Sequence, residues 1–335
     1  MNEARNHAAA KHTVPGWIVL EEHFALAETL SDAKRYAADG AWPGLKRRLS
    51  DFHDERLDEM DRHGIAIAVL SLNAPAVQGV PDRAQANDLA RKANDVLADA
   101  IARSPGRLAG FAALPMQEPD AAAVELTRCV RELGFRGALV NGFSQLGQAA
   151  VYYDGPPYDS FWQTVERLEV PFYLHARDPL PGRTQDYEGH PWFEGPAWAF
   201  GVETAIHALR LMGSGLFDRC PRLRIILGHL GEGLPSGIWR LDQRLKKAPR
   251  GIPARRTMAE YLGSNFFLTT SGNFHTPTLL NAMLEVGADR ILFSIDYPFQ
   301  DMGRAAAWLA TAGISERDRA KIGRSNAMHL LKLAP

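Results

Sequence analysis

Eight short apolar runs recur along the chain, each followed by turn residues or by a segment with helical spacing. They are Trp17–His23 (WIVLEEH), Ile65–Asn73 (IAIAVLSLN), Leu108–Met116 (LAGFAALPM), Gly137–Phe143 (GALVNGF), Pro171–Arg177 (PFYLHAR), Arg224–Gly231 (RIILGHLG), Asn265–Gly272 (NFFLTTSG) and Ile291–Phe299 (ILFSIDYPF). Near-continuous apolar character, rather than strict alternation, is expected of strands covered on both faces. Between runs, Arg83–Ser104 and Asp120–Leu133 read as helices, so the order is strand then helix, repeated. This βα order predicts an α/β fold with a parallel sheet, and eight repeats predict a closed (β/α)8 TIM barrel rather than an open doubly wound sheet.

Two stretches exceed the repeat, residues 24–50 after the first run and 178–215 after the fifth. Long βα loops on a barrel build the rim of its site, so both are expected to wall a substrate. The polar start, MNEARNHAAAKHTVPG, reads as a flexible tail over residues 1–16, with a single barrel domain over 17–335. The closing stretch ISERDRAKIGRSNAMHLLKL reads as helices, with Ser315 and Asp318 spaced as a capping pair.

Composition narrows the partners. The 335 residues carry a formal net charge of −1, which offers no basic field for nucleic acid or an anionic membrane. No window holds about 18 uninterrupted apolar residues, and the start lacks the apolar stretch of a secretory signal. Cys129 and Cys220 have no paired spacing and are read as free thiols in a reducing cytoplasm. No glycine-rich phosphate motif follows any run, so a nucleotide fold has no positive support and no organic cofactor is expected.

The chemistry lies at the ends of the runs. Glu21 and His23, Asn73, Asn141, His175, His229, Thr270 and Ser271, and Asp296 all fall near C-terminal strand ends. In a barrel those ends converge on one mouth. A lone histidine there is commonly structural and a lone aspartate commonly a cap. Three histidines and two carboxylates at equivalent ends of strands one, five, six and eight are hard to produce by capping, and point to a metal site. Imidazole with carboxylate suits a divalent ion such as Zn²⁺ or Mn²⁺, with Mg²⁺ as a further option, and the absence of thiolates argues against a closed structural zinc. On a regular strand Glu21 and His23, at i and i+2, share the inner face, and Glu22 points away from it, to the helical layer or a loop, as a salt bridge or cap.

Through LEEHF, LSLNAPAVQ, GFAALPMQ, GALVNGFSQ, PFYLHARDPLP, GHLGEGLP, WRLDQR, TTSGNF and FSIDYPF, the chain from about Trp17 onward resembles the amidohydrolase superfamily, in its branch of metal-dependent aromatic acid decarboxylases. Much of that superfamily carries His-x-His on the first strand, whereas this branch carries Glu-x-His, as here. The resemblance implies one divalent ion held by Glu21, His23, His175 and Asp296. It implies proton handling by His229 and Glu232, a substrate-side Arg240 supplied across a subunit interface, and Phe299 as a pocket wall. A homo-oligomer, dimer or tetramer, follows from the same likeness. Tyr297 stands where tryptophan is common, Tyr36 where phenylalanine is expected in the first rim loop, and His275 in place of an arginine; Tyr36 and Asn73 complete the expected substrate contacts.

The implied reaction is non-oxidative, reversible loss of CO₂ from an ortho-hydroxybenzoate such as 2,6-dihydroxybenzoate, with Asp296 as the acid that protonates the ring. Residue chemistry alone leaves open a second reaction, hydrolysis of an amide, ester or lactone with Asp296 as base, since both need an open metal site beside a carboxylate and a histidine. The aromatic residues Tyr36, Trp192, Phe193, Trp198 and Phe299 in the rim loops favour a flat aromatic ligand.

Overall fold

Each of the eight apolar runs contains a strand of one parallel barrel. In the computed structural model, which describes residues 16–333, the strands are β1 (Trp17–Phe24), β2 (Ile65–Leu72), β3 (Leu108–Gly110), β4 (Ala138–Asn141), β5 (Phe172–His175), β6 (Ile225–Leu227), β7 (Phe266–Thr269) and β8 (Ile291–Leu292). β1 to β3 pair in parallel as one sheet and β4 to β8 as another. Two parallel bridges join them: Ala112 with Ala138 beyond β3, and Leu20 with Ser294 beyond β8. Those seams close the ring. The expected tail over residues 1–16 lies, apart from Gly16, outside the described residues.

Alternation along the strands sorts two cores. On β5, Phe172 and Leu174 pack outward against the helices, while Tyr173 joins Ile18, Leu20, Val69, Phe111 and Ile226 in the barrel interior. Bulky side chains therefore fill the axis, and Ala327 and Leu331 of the C-terminal helical segment pack against this inner cluster. The C-terminal strand ends keep the open mouth.

The two long excursions take up positions at that mouth. After β1 the chain makes a 3₁₀ turn (Leu30–Tyr36) and a helix (Trp42–Ser50); after β5 it makes four short 3₁₀ turns before the helix Ala199–Gly213. Helices at Arg83–Arg103 and Pro119–Arg131 match expectation, and Ser315 Oγ accepts the Asp318 N–H at 3.1 Å as the expected cap. A small hairpin, Ser144–Leu146 with Ala149–Val151, was not foreseen. No helix among the described residues is long and apolar enough to cross a membrane.

The simple alternation expected along WIVLEEH does not hold. Val19 pairs with Ala68 and Glu22 with Leu70, so β1 carries one extra residue there, and Glu21 adopts φ +62°. Such a bulge re-aims side chains. Of its two expected surroundings Glu22 takes the loop, not the helical layer: it is fully buried against the segment after β8, where it caps the N–H groups of Ile295 (3.0 Å) and Tyr297 (3.1 Å).

Candidate metal centre and active site

Four strands deliver the donors to one place. Glu21 and His23 lie on β1, His175 ends β5, and His229 and Asp296 follow β6 and β8. The donor atoms of Glu21, His23 and His175 all lie within 4.8 Å of one another, as do those of Glu21, His229 and Asp296. His175 Nε2 is 3.2 Å and His229 Nε2 3.6 Å from Glu21 Oε1, while His23 Nε2 is 3.4 Å from Asp296 Oδ1. Glu21 thus belongs to both groups, and His23 with Asp296 ties them together.

Each imidazole is oriented through its other nitrogen. His175 Nδ1 lies 2.7 Å from Asn141 Oδ1, and Asn141 Nδ2 donates to the Asn73 carbonyl at 3.1 Å, which fixes the amide so that His175 must donate. Its Nε2 then carries a lone pair into the site. His229 Nδ1 contacts Glu232 Oε1 at 2.7 Å, and His23 Nδ1 meets Ser71 Oγ at 3.3 Å. Below them, the Tyr173 hydroxyl donates to Glu21 Oε2, and Thr269 Oγ1 lies 3.4 Å from the same oxygen.

The other Glu21 oxygen tests whether these residues suit a metal. Oε1 is buried and, among the described residues, accepts no hydrogen bond, since the nitrogen nearest it, His175 Nε2 at 3.2 Å, presents its lone pair. A buried carboxylate oxygen without a donor is costly, and a cation is the natural compensation. Space is reserved around the carboxylate as well: a Cβ on Gly228 would fall 3.1 Å from Glu21 Oε2. Two imidazoles with two carboxylates are donors that Mn²⁺ or Zn²⁺ accepts. The set fits the ion.

The electrostatics separate two carboxylates that share one site. Burial works against ionisation of Glu21, but His229, then His175 and His23, hold its carboxyl down at about 2. Burial, followed by Glu21, pushes Asp296 up to about 8. Burial lowers His23 to about 4 against the pull of Glu21. His229 rises to about 10 despite burial, because Glu232 and Glu21 face it. Opposed shifts of this kind mark groups suited to acid–base work. Backbone strain is concentrated in the same place: Glu21 (φ +62°), His229 (+52°), Leu230 (+59°), Glu232 (+54°) and Asp296 (+79°) all occupy the left-handed region.

A cavity of about 280 Å³ opens over His23, His175, His229 and Asp296, with Tyr36, Phe200 and Phe299 among its walls. That is near the lower end of ligand pockets, which run from about 300 to 1,000 Å³. The Phe299 and His23 rings meet edge to face at 5.8 Å. Arg48, which sequence reasoning passed over, also lines this cavity.

Other expected contacts lie elsewhere. Asn73 is fully buried, and its amide is engaged by the Thr29 hydroxyl (2.8 Å) and carbonyl (2.9 Å), so it anchors the first rim loop and does not line the cavity. Arg240 is exposed on the helix Leu234–Lys247, outside its own chain's cavity. Trp192, Phe193 and Trp198 are 62%, 49% and 61% exposed and line none of it. The Tyr36 ring is a wall, but its hydroxyl turns away to Asp178 Oδ2 at 2.6 Å. The Tyr297 hydroxyl is buried and has no hydrogen-bond partner among the described residues, and His275 pairs with Thr278 at 2.8 Å; neither residue lines the cavity. Tyr173 was missed altogether, although it stands two residues before His175 on the same strand face.

Known proteins resemble this chain over nearly its whole length. The amidohydrolase family model matches residues 7–333. The γ-resorcylate decarboxylase of Polaromonas sp. (strain JS666) is 58% identical, over 95% of this chain and 99% of the relative; that of Rhodococcus jostii (strain RHA1) is 57% identical over 95% and 99%. A crystal structure of 2,6-dihydroxybenzoate decarboxylase complexed with 2,6-dihydroxybenzoate superposes with a TM-score of 0.93 at 57% identity, covering 95% of this chain and 99% of that one. The dihydroxybenzoic acid decarboxylase of Polaromonas sp. JS666, solved with manganese and the inhibitor 2-nitroresorcinol, gives a TM-score of 0.93 at 57% identity over 95% and 97%. With its barrel, its strand-end donors and a family match over nearly its whole length, the chain belongs to the amidohydrolase family.

Proposed function

We propose that this chain is a divalent-metal-dependent, non-oxidative decarboxylase that converts 2,6-dihydroxybenzoate to resorcinol and CO₂, reversibly. One observation carries the reading: a fully buried Glu21 oxygen, without a hydrogen bond among the described residues, lies among His175, His229 and Asp296, which with His23 line a small cavity walled by aromatic rings. Relatives named for this activity at 57 to 58% identity support it. The ligands are Glu21, His23, His175 and Asp296. Manganese is the proposed ion, on these donors and on its presence in the Polaromonas structure; zinc suits the same donors.

When bound by these four residues, a divalent ion would supply positive charge that stabilises negative charge on the substrate. The chain's own part is protonic. Losing CO₂ from a benzoate leaves an aryl anion unless the carboxyl-bearing carbon is protonated first. Asp296 gives its proton to that carbon. The bond to the carboxylate then breaks, its electron pair restores the aromatic ring, and CO₂ departs. A carboxylate that also faces a cation holds a proton poorly. His229, gripped by Glu232 at 2.7 Å, lines the same cavity and returns the proton. Phe299 and Tyr36 hold the flat ring between them.

The active unit in this reading is a single-domain barrel assembled as a homodimer or homotetramer, with Arg240 of one copy reaching the cavity of another. In support, Trp198 and Trp239 are 61% and 70% exposed, and an apolar groove of about 710 Å³ runs beside the site and shares His229 and Glu232 with it. Apolar surface of this kind usually marks association. The buried free thiols Cys129 and Cys220 suit a cytoplasmic setting. Incubation with Mn²⁺, resorcinol and ¹³C-bicarbonate tests the reaction in reverse: label is expected in 2,6-dihydroxybenzoate, and an unlabelled product pool would count against the proposal.

A further inference from the structure

Glu22, the acid that the donor set leaves out, stands where it governs an acid that the set includes. It is fully buried, and each of its oxygens accepts a backbone N–H, Oε1 from Ile295 at 3.0 Å and Oε2 from Tyr297 at 3.1 Å. The Ser294 hydroxyl lies 3.5 Å from Oε1. Asp296 is the residue between those two N–H groups, and its φ is +79°. Successive N–H groups around a left-handed residue form a concave seat for an acceptor, and here the seat is filled by the chain's own Glu22 carboxyl group.

The backbone accounting shows why this carboxylate is needed. The ladder of β8 ends at Leu292; in the segment beyond it Phe293 N–H donates to the Ile322 carbonyl at 2.9 Å and Ser294 N–H to Thr270 Oγ1 at 3.0 Å, while the Tyr297 carbonyl accepts from His23 N–H at 2.6 Å and the Ile295 carbonyl from Gly272 N–H at 3.2 Å. Its N–H groups at 295 and 297 are left to Glu22, and buried backbone donors require an acceptor. A non-glycine residue does not favour φ +79° unaided, so whatever holds 295 and 297 also holds Asp296.

Arg56 completes the arrangement from the other side. It is fully buried, donates to the His23 carbonyl at 2.6 Å and the Asp51 carbonyl at 3.0 Å, and sits 4.8 Å from the centre of the Tyr297 ring. One residue therefore grips the backbone of His23 and the other the backbone around Asp296, whose side chains meet at 3.4 Å. We propose that Glu22 and Arg56 form a buried clamp that sets Asp296 against His23, and that they are positioning residues for the metal centre. The inference rests on the reading of Asp296 and His23 as ligands, and is independent of which acid is the substrate.

The test is Glu22→Gln. The amide keeps the volume but presents one acceptor and one donor, so one of the two N–H groups faces another N–H. Mn²⁺ affinity is measured by titration with electron paramagnetic resonance of free and bound ion at fixed pH, alongside the melting temperature. The clamp predicts a Kd for Mn²⁺ at least tenfold above that of the unaltered protein, a changed spectrum of bound ion at saturation, and a fall in kcat with KM within twofold. A Kd within twofold and an unchanged spectrum would overturn it, even if the melting temperature drops, because Glu22 would then serve folding alone. Should Glu22→Gln not fold, Arg56→Lys decides by the same titration: at least a threefold rise in Kd is expected, and an unchanged Kd overturns the clamp. A protein that binds Mn²⁺ as described but decarboxylates no hydroxybenzoate would refute the proposed function and leave the clamp standing.

Discussion

Replacing Tyr173 with phenylalanine removes one oxygen from the floor of the site. The hydroxyl donates to Glu21 Oε2 and lies 2.8 Å from Thr269 Oγ1; without it, the carboxylate oxygen keeps only the threonine, at 3.4 Å. A hydrogen bond to an ionised acceptor contributes about 1.5–3 kcal/mol, equivalent to about 10- to 150-fold in an equilibrium constant. Outer partners of metal ligands typically alter metal affinity by about 10- to 100-fold when removed. The Thr269 hydroxyl can turn further toward Glu21, which places the expected effect near the low end. The predicted result is a rise of about tenfold in the Kd for Mn²⁺, with the fold intact. The assay is competition with a chelator of known affinity, run in parallel on Thr269→Val, whose longer contact predicts the smaller loss. A Kd within twofold for Tyr173→Phe, or a greater loss from Thr269→Val, would show that Tyr173 does not support Glu21.

Three further outcomes follow from the geometry. Asp296→Asn keeps the shape but cannot donate the proton, so CO₂ release is expected to fall by about a thousandfold or more; a metal-loaded variant with near-normal turnover refutes the assignment. Tyr36→Phe removes a hydroxyl already committed to Asp178, so kcat/KM for 2,6-dihydroxybenzoate is expected to change by less than about threefold, and a larger change would place that hydroxyl on the substrate. His207 is buried away from the site and lowered to about 3 by burial and then Arg210. Between its ordinary value of 6.5 and about 3 the unfolded chain binds a proton that the folded chain refuses, so stability is full above pH 6.5 and falls on acidification. The slope from this group reaches about 1.4 kcal/mol per pH unit. Denaturant midpoints from pH 7 to 4 should show a shallower decline in His207→Gln, and parallel curves would refute the assignment.

The barrel was legible because strands buried on both faces must be apolar throughout, and all eight such runs contain strands. The donors were legible because a parallel barrel gathers its strand ends, whatever their separation in sequence. Whether Glu22 would meet a helix or a loop was not, because alternation gives the facing of a side chain only while the register is regular. The extra residue in β1 is visible only from the pairing of Val19 and Glu22 with Ala68 and Leu70. Asn73 stands at a strand end like Asn141, yet one serves a loop and the other orients His175; the difference lies in neighbours 44 and 34 residues away. The exposure of Trp192, Phe193 and Trp198 was likewise beyond a pattern that records aromatic character but not facing. Tyr173 could have been found. Period two from His175 places it on the inner face, and a phenol beneath a buried carboxylate is a natural donor.

The central claim is tested most directly by following 2,6-dihydroxybenzoate with the Mn²⁺-saturated protein, reading resorcinol by chromatography and CO₂ by mass spectrometry. Equal amounts of resorcinol and CO₂, formed only with the ion present and lost in Asp296→Asn, are the predicted result. Release of neither from any ortho-hydroxybenzoate, while the same metal-loaded protein hydrolyses an amide, ester or lactone, would contradict it.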